Sequence, residues 1–402
     1  MAGIVIVGAG QAGASLAAKL RSLGYAGALT LIGEEPAPPY QRPPLSKGYL
    51  LGDMELERLY LRAPSFWDEQ NVDVRLNARV TDIDPATKTL TVGGETLAYD
   101  QLALTTGSYP RKLPAAIGGN LTNVFTVRTL ADVDRMAKSI HAGANALIVG
   151  GGYIGLEAAA VAAKLGLNVT VIEAAPRILQ RVASPETSAY FRNLHQSHGV
   201  KILEGTGLDC LLGDGTVTGA RLADGRELPA DLVIVGIGII PGAELAEKAG
   251  LVIENGICTD ANGRTSDPSI WAAGDCASFP HNGGRIRLES VGNAIDQGEL
   301  VAENMLGANK SYDAKPWFWS DQYDTKLQIA GLNTGYDRIV TRKGDGEAIS
   351  FWYYRGDHLL AVDSMNDSRA YMIGKRLIEA GRSPDPAVIK NPASDLKALL
   401  KA

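Results

Sequence analysis

Two glycine clusters constrain this chain more than any other feature. Gly8-Ala9-Gly10-Gln11-Ala12-Gly13 follows the apolar run Gly3–Val7, opens a stretch of helical spacing over Gln11–Leu23, and leads to a second apolar run at Ala28–Ile32. Strand, glycine turn, helix and strand make a βαβ unit. Its first glycine permits the tight turn, its second lets backbone amides approach a pyrophosphate, and its third lets the helix pack closely. The helix N-terminus adds partial positive charge. Gly150-Gly151-Gly152-Tyr153-Ile154-Gly155 repeats the design between Ala146–Val149, Tyr153–Leu165 and Asn168–Ile172. One glycine pattern alone is weak; two, each framed by strand and helix, imply two bound dinucleotides.

Carboxylates refine this. Glu34 stands at the end of the second strand, about 20 residues beyond the first loop, where a carboxylate accepts hydrogen bonds from a ribose hydroxyl. Glu173 holds the same place after the second loop, where it favours a free 2′-hydroxyl and repels a 2′-phosphate, so NADH is expected over NADPH. Arg177, close by, pulls the other way. A flavin and a nicotinamide are the natural pair of dinucleotides, which makes the expected cofactors FAD and NADH.

Three further apolar runs end in glycine: Leu102–Gly107, Asp231–Gly238 and the run from Ser269 to Gly274-Asp275. Ligands of open α/β sheets sit at the carboxyl ends of strands, so Thr106, Gly107, Gly238, Gly274 and Asp275 become candidate contacts. From about Trp317 the pattern changes. Lys326–Ala330, Arg338–Thr341, Ile349–Tyr354 and His358–Val362 read as an antiparallel sheet, closed by a helix near Ser368–Ala380.

The bulk properties exclude other classes. A chain of 402 residues, 45% hydrophobic and 21% charged, is an ordinary globular protein of about two to four domains. Its net charge of −6 argues against a nucleic-acid partner. No apolar stretch approaches the roughly 20 residues that span a bilayer, so no membrane partner is expected. The first strand begins almost at Met1, leaving no room for a signal segment, and a cytoplasmic address is expected. Cys210, Cys258 and Cys276 are widely spaced and suggest neither disulfide framework nor zinc site. His195 and His198, at helical spacing with no third ligand, read as a solvated face, and no metal is expected.

The two fingerprints, the Tyr40-Gln41-Arg42-Pro43-Pro44-Leu45-Ser46-Lys47 segment, the Leu156-Glu157 that follows the second loop, the Gly274-Asp275 ending and Pro316-Trp317-Phe318-Trp319-Ser320-Asp321-Gln322-Tyr323 together resemble NADH-dependent ferredoxin reductases. These are the putidaredoxin reductase-like enzymes and the reductase components of aromatic-ring dioxygenases. The resemblance implies an α/β, glutathione-reductase-like fold with two Rossmann-type domains and a C-terminal α+β domain. The FAD domain would be discontinuous, 1–108 and 242–315; the NAD domain would span 109–241 and the C-terminal domain 316–402. By motif, Ala12, Glu34, Arg42, Lys47, Val80 and Arg128 would contact FAD, as would Asp275, Val291 and Trp319. Tyr153, Ile154, Glu157, Glu173 and Gly238 would contact NAD. Lys47, Glu157 and Trp319 are the residues tied to catalysis. Lys47 would stabilise a reduced, anionic flavin or be only a loop lysine. Glu157 would serve the site or simply suit a helix N-terminus. Trp317 and Trp319 share a strand face as core or as the electron exit.

The acceptor decides the enzyme class. Disulfide reductases carry a close cysteine pair on the first helix after the glycine loop, and related peroxidases and water-forming oxidases carry one cysteine there. This chain has no cysteine before Cys210. Electrons should therefore leave for an external partner, implied to be a [2Fe–2S] ferredoxin docking transiently. That ferredoxin would feed an oxygenase, by resemblance a haem-thiolate monooxygenase. Arg285, Arg287, Lys310, Lys315, Lys326, Arg342 and Lys343 could form a basic docking patch or be scattered charges. The alternatives are an NADH oxidase or quinone-type reductase, and a redox-sensing flavoprotein of the apoptosis-inducing-factor kind.

Overall fold

Ile4–Val7 is a four-residue strand with every side chain buried, as a parallel strand covered on both faces must be. In the computed structural model, which describes residues 2–401, it lies at the centre of a five-stranded sheet ordered Ile270–Ala272, Gln101–Leu104, Ile4–Val7, Leu29–Ile32, Asp73–Arg75. Every neighbour pair is parallel. The helix Gln11–Ser22 shares one apolar cluster with the helix Val291–Met305. Gly298 makes their approach possible, since a Cβ there would stand 2.6 Å from the Ala12 carbonyl oxygen. A three-stranded antiparallel meander over Val80–Asp84, Thr89–Val92 and Glu95–Ala98 joins them. These elements belong to the first of two compact units: residues 1–42, 54–109 and 239–314.

The second unit comprises residues 43–53, 110–238 and 315–402. It repeats the parallel design in the order Lys201–Glu204, Asn168–Glu173, Asn145–Val149, Leu232–Val235, Val124–Phe125. The helix Tyr153–Lys164 buries Ala158, Ala159, Ala160 and Ala162, small side chains that let it lie close to the sheet. A second sheet, wholly antiparallel, runs Trp317–Gln322, Thr325–Gly331, His358–Met365, Ile349–Arg355, Arg338–Lys343.

Alternation explains why Ile349–Arg355 reads as an almost unbroken apolar run. Trp352 and Tyr354 pack with the helix Ser368–Glu379, while Phe351 and Tyr353 pack with Leu156, Ile178 and Phe191. Successive side chains of a strand face opposite ways, so a strand covered on both sides is apolar throughout. The C-terminal sheet therefore packs against the helices Tyr153–Lys164 and Pro185–Ser197 of the second unit.

Candidate functional site

Within the first unit, Gly8 adopts φ +115°, and a Cβ there would lie 2.2 Å from the Thr105 carbonyl oxygen. A Cβ on Gly13 would meet the Gly8 carbonyl oxygen at 2.0 Å, whereas nothing lies within 4 Å of one on Gly10. Gly10 caps the helix with no side-chain hydrogen bond, so the first-turn amides face open space, as an anion cradle requires. Around this loop, Ala12 is buried against Gly274, whose amide donates to Gln297 Oε1 at 2.8 Å. Asp275 accepts from Ser108 Oγ at 2.8 Å. The Thr106 hydroxyl donates to the Gly242 carbonyl and the Gly242 amide to the Gly107 carbonyl. Val80 is buried at a strand start, and Val291 begins the helix that Ser290 caps.

Glu34 Oε1 takes a hydrogen bond from Tyr109 Oη at 3.2 Å, and its neighbour Glu35 pairs with Arg42 at 2.6 Å. Tyr109, Ser108 and Glu35 were not singled out from sequence; only their placement beside these residues marks them.

The second unit carries the matching cradle. Gly150 has φ +109° beside the Gly236 carbonyl, Gly155 leaves room for the Gly150 carbonyl, and Gly152 faces open space at an uncapped helix start. Glu173 grips this loop. One carboxylate oxygen accepts from the Gly151 amide at 2.8 Å and the other from the Ala175 amide at 2.8 Å. Each oxygen keeps a lone pair for a ribose hydroxyl. Arg177 does not oppose it: its guanidinium binds the carbonyls of Ser184 and Ala183 and the Ser188 hydroxyl. The Gly238 carbonyl accepts from the Arg111 amide at 2.9 Å, and Ile154 is exposed beside the loop. Tyr153 turns its ring to Phe318, 5.0 Å between centroids, and buries its hydroxyl. Both cradles fit a dinucleotide.

Lys47, Glu157 and Ser320 come together in the second unit. Lys47 stands on the short turn Leu45–Tyr49 with non-helical dihedrals, φ −131° and ψ −112°. Its Nζ lies 2.9 Å from Glu157 Oε1, which also accepts from Ser320 Oγ at 2.6 Å. Lys47 is therefore no free loop lysine. Glu157 is 6% exposed; burial raises its carboxyl above the usual carboxylate range, opposed by the Lys47 charge and the Ser320 hydrogen bond. Ser320 was not singled out from sequence. Arg128 is half-buried just ahead of the helix Leu130–Ala137, whose first turn is closed by a reciprocal Thr129–Asp132 cap. Trp317 and Trp319 stack at 5.5 Å and 21°, both half-buried, with Lys375 Nζ 5.5 Å from the Trp317 ring.

Two expectations are corrected. His195 is completely buried rather than solvated, and bonds Gln322 Oε1 at 2.7 Å; His198 alone is exposed. Arg342 is buried, its guanidinium holding the carbonyls of Ile389, Asn391, Pro392 and Ser394, so it offers no docking charge. Lys310 pairs with Glu303, Arg285 binds carbonyls, and Arg287 pairs with Glu289. Among the described residues there is no cluster of His, Cys, Asp or Glu that could hold a metal, and no helix long and apolar enough to cross a membrane. The three cysteines are free thiols, and burial pushes the Cys276 thiol up.

Residues 2–298 match the pyridine nucleotide-disulphide oxidoreductase family, and residues 317–400 match the reductase C-terminal family. The chain is 45% identical over 393 residues to a ferredoxin–NAD(P)(+) reductase of a Sphingomonas species, covering 96% of this chain and 94% of that one. The structure resembles that of a covalent putidaredoxin reductase–putidaredoxin complex, with TM-score 0.96, 39% identity and coverage of 100% and 98%. It also resembles the ferredoxin reductase for the CYP199A2 system from Rhodopseudomonas palustris, with TM-score 0.95, 38% identity and 99% of each chain covered. The chain belongs to the putidaredoxin reductase-like ferredoxin–NAD(P) reductases, on the pyridine nucleotide-disulphide oxidoreductase fold with a reductase C-terminal domain.

Proposed function

We propose that this chain is an FAD-dependent NADH:ferredoxin reductase, in which FAD takes a hydride from NADH and releases electrons singly to a [2Fe–2S] ferredoxin. The observation that carries this reading is the pair of open glycine cradles, each followed by a carboxylate at the end of its second strand. Residues 1–108 and 242–315 are assigned to FAD, 109–241 to NAD, and 316–402 to the C-terminal domain. Gly8, Gly10, Ala12 and Gly13 would hold the FAD pyrophosphate, Glu34 a ribose and Asp275 the ribityl chain. The resemblance also gives FAD Arg42, Lys47, Val80, Thr106, Gly107 and Arg128, with Gly274, Val291 and Trp319. For NAD, Gly150, Gly152 and Gly155 would hold the pyrophosphate and Glu173 the adenosine ribose, with Tyr153, Ile154, Glu157 and Gly238 nearby.

The choice of NADH is supported by Glu173 and by Arg177, whose guanidinium is committed to protein carbonyls. An external acceptor is supported by the thiols. A relay cysteine must form a thiolate, whereas Cys276 is buried and pushed towards its neutral form, and no cysteine precedes Cys210. The free thiols suit a reducing, cytoplasmic setting. The terminal acceptor is assigned, by resemblance, to an oxygenase of the haem-thiolate monooxygenase class.

Stopped-flow mixing with NADH and then oxidised ferredoxin tests the reading. Flavin absorbance should bleach faster with NADH than with NADPH and recover faster with ferredoxin than with oxygen. Recovery no faster than with oxygen would favour the oxidase alternative, and flavin that NADH never bleaches would remove the assignment altogether.

A further inference from the structure

A single hydrogen-bonded chain runs through the second unit from Glu157 to the surface. Glu157 Oε1 meets Ser320 Oγ at 2.6 Å, Ser320 Oγ meets Gln322 Nε2 at 3.1 Å, and Gln322 Oε1 meets His195 Nε2 at 2.7 Å. Tyr323 Oη lies 3.2 Å from His195 Nδ1, and the exposed His198 stacks on Tyr323 at 3.7 Å. Ser320 and His195 are wholly buried and Gln322 nearly so, so none can exchange partners with bulk water. The polarity of one link then dictates the next.

Consider Glu157 ionised beside Lys47. Ser320 has one hydroxyl proton and must give it to Glu157, so its oxygen accepts from the Gln322 amide nitrogen. The Gln322 carbonyl then faces His195 Nε2, which must carry hydrogen, and the bare Nδ1 accepts from Tyr323. Every donor points towards Glu157. A proton on Oε1, the oxygen that Ser320 meets, would reverse every link: Gln322 would have to turn its amide over, and His195 would carry its proton on Nδ1. A carboxamide nitrogen cannot take up a proton and pass it on, so the chain transmits polarity and not protons.

We propose that Ser320, Gln322 and His195 are positioning residues that hold Glu157 ionised against Lys47 through this one-way set of donors. Aligned hydrogen bonds polarise one another in a low-dielectric interior, and a bond to the charged form favours that form. This offsets the burial that would otherwise neutralise Glu157 and leave Lys47 without its counter-charge. The other charged group acting on Glu157 is Asp321, which favours protonation; on His195 it is His198, which opposes a ring charge. Burial lowers His195 to about 4, so the ring stays neutral at working pH and its tautomer reports the polarity of the chain. The consequence for flavin reduction rests on the function proposed above; the tautomer does not.

The test uses the full-length FAD-loaded protein with ¹⁵N-labelled histidine, the His195 signal being assigned by its loss in His195→Gln. The neutral Nε2–H tautomer is expected between pH 6 and 8. In Glu157→Gln the side chain can donate or accept, and a mixture of tautomers is expected. An Nδ1–H tautomer in the parent protein, or a tautomer unmoved by Glu157→Gln, overturns the proposal. In a second arm, Gln322→Met removes the donor to Ser320 while keeping the volume. Glu157 then protonates at higher pH, so flavin bleaching by NADH should slow about threefold at pH 6 and less at pH 8. Equal slowing at both pH values means a packing role only and also overturns it. A failure of ferredoxin to reoxidise the flavin would sink the functional reading and leave the tautomer result untouched.

Discussion

Glu173 ties down the Gly151 and Ala175 amides with its two oxygens, and the proposed function gives their remaining lone pairs to a ribose. Glu173→Ala should therefore raise the NADH KM and raise the NADPH/NADH ratio of kcat/KM by roughly tenfold. A rise in both KM values with the ratio unchanged would assign the residue to loop support alone. Asp363 is a different case. Buried with Tyr353 and Thr187 donating to one oxygen, it is pushed up to about 6 by burial. Its folded value exceeds the unfolded ~3.9, so its charge costs stability above pH 6, and that cost fades as pH falls from about 6 towards 4. The ceiling is about 3 kcal/mol. Asp363→Asn keeps an acceptor for both hydroxyls. Its Tm relative to the parent should be higher at pH 8 than at pH 5; a difference independent of pH would mean that folding does not raise the Asp363 carboxyl and that it is ionised in both states. The place of Glu173 at the end of its strand was legible in sequence because it follows from distance along a βαβ unit. That Glu157 bonds Ser320 was not, because Ser320 is 163 residues away in the chain and only tertiary packing brings it there.

At the scale of elements, the three glycines of each loop differ in what they tolerate. Gly152 faces open space, whereas a Cβ on Gly155 would sit 2.1 Å from the Gly150 carbonyl oxygen. Gly152→Val should fold, keep FAD at full stoichiometry and lose saturable reduction by NADH, raising KM at least tenfold. Gly155→Val should instead lower the yield of folded protein, because helix and strand must separate. Thermal melts and flavin content of the two variants separate these outcomes, and a stable Gly155→Val would show that the loop relaxes. Both parallel units could be read from sequence, since strand, turn and helix are local and periodic. The three-stranded antiparallel sheets over 80–98 and over Leu208–Asp214, Thr216–Leu222 and Glu227–Pro229 could not, because their strands mix polar and apolar residues with no continuous buried run. The helix Pro185–Ser197 hid its buried histidine because His195 presents the same residue type as its exposed neighbour His198, and only the strand opposite supplies its partner.

Across the whole molecule, net charge and local charge make different statements. The chain carries −6, yet an acidic ferredoxin would have to be met by cations, and among the basic residues first considered Arg285, Arg287, Lys310 and Arg342 are tied within the chain. Loss of these charges weakens the case for steering by a broad basic field, and recognition of the acceptor is expected to rest more on contact than on long-range attraction. Trp317 and Trp319 are suited to this, being stacked, half-buried and flanked by Lys375, because aromatic side chains offer large contact area at small entropic cost. Trp319→Ala should slow reoxidation of reduced flavin by ferredoxin at least fivefold while slowing its reduction by NADH less than twofold. Measured at two ionic strengths, the defect should persist at high salt, where electrostatic steering is screened. Equal slowing of both half-reactions would return Trp319 to the core of its sheet, and a defect that vanished at high salt would move recognition from the aromatic pair to the surrounding charges.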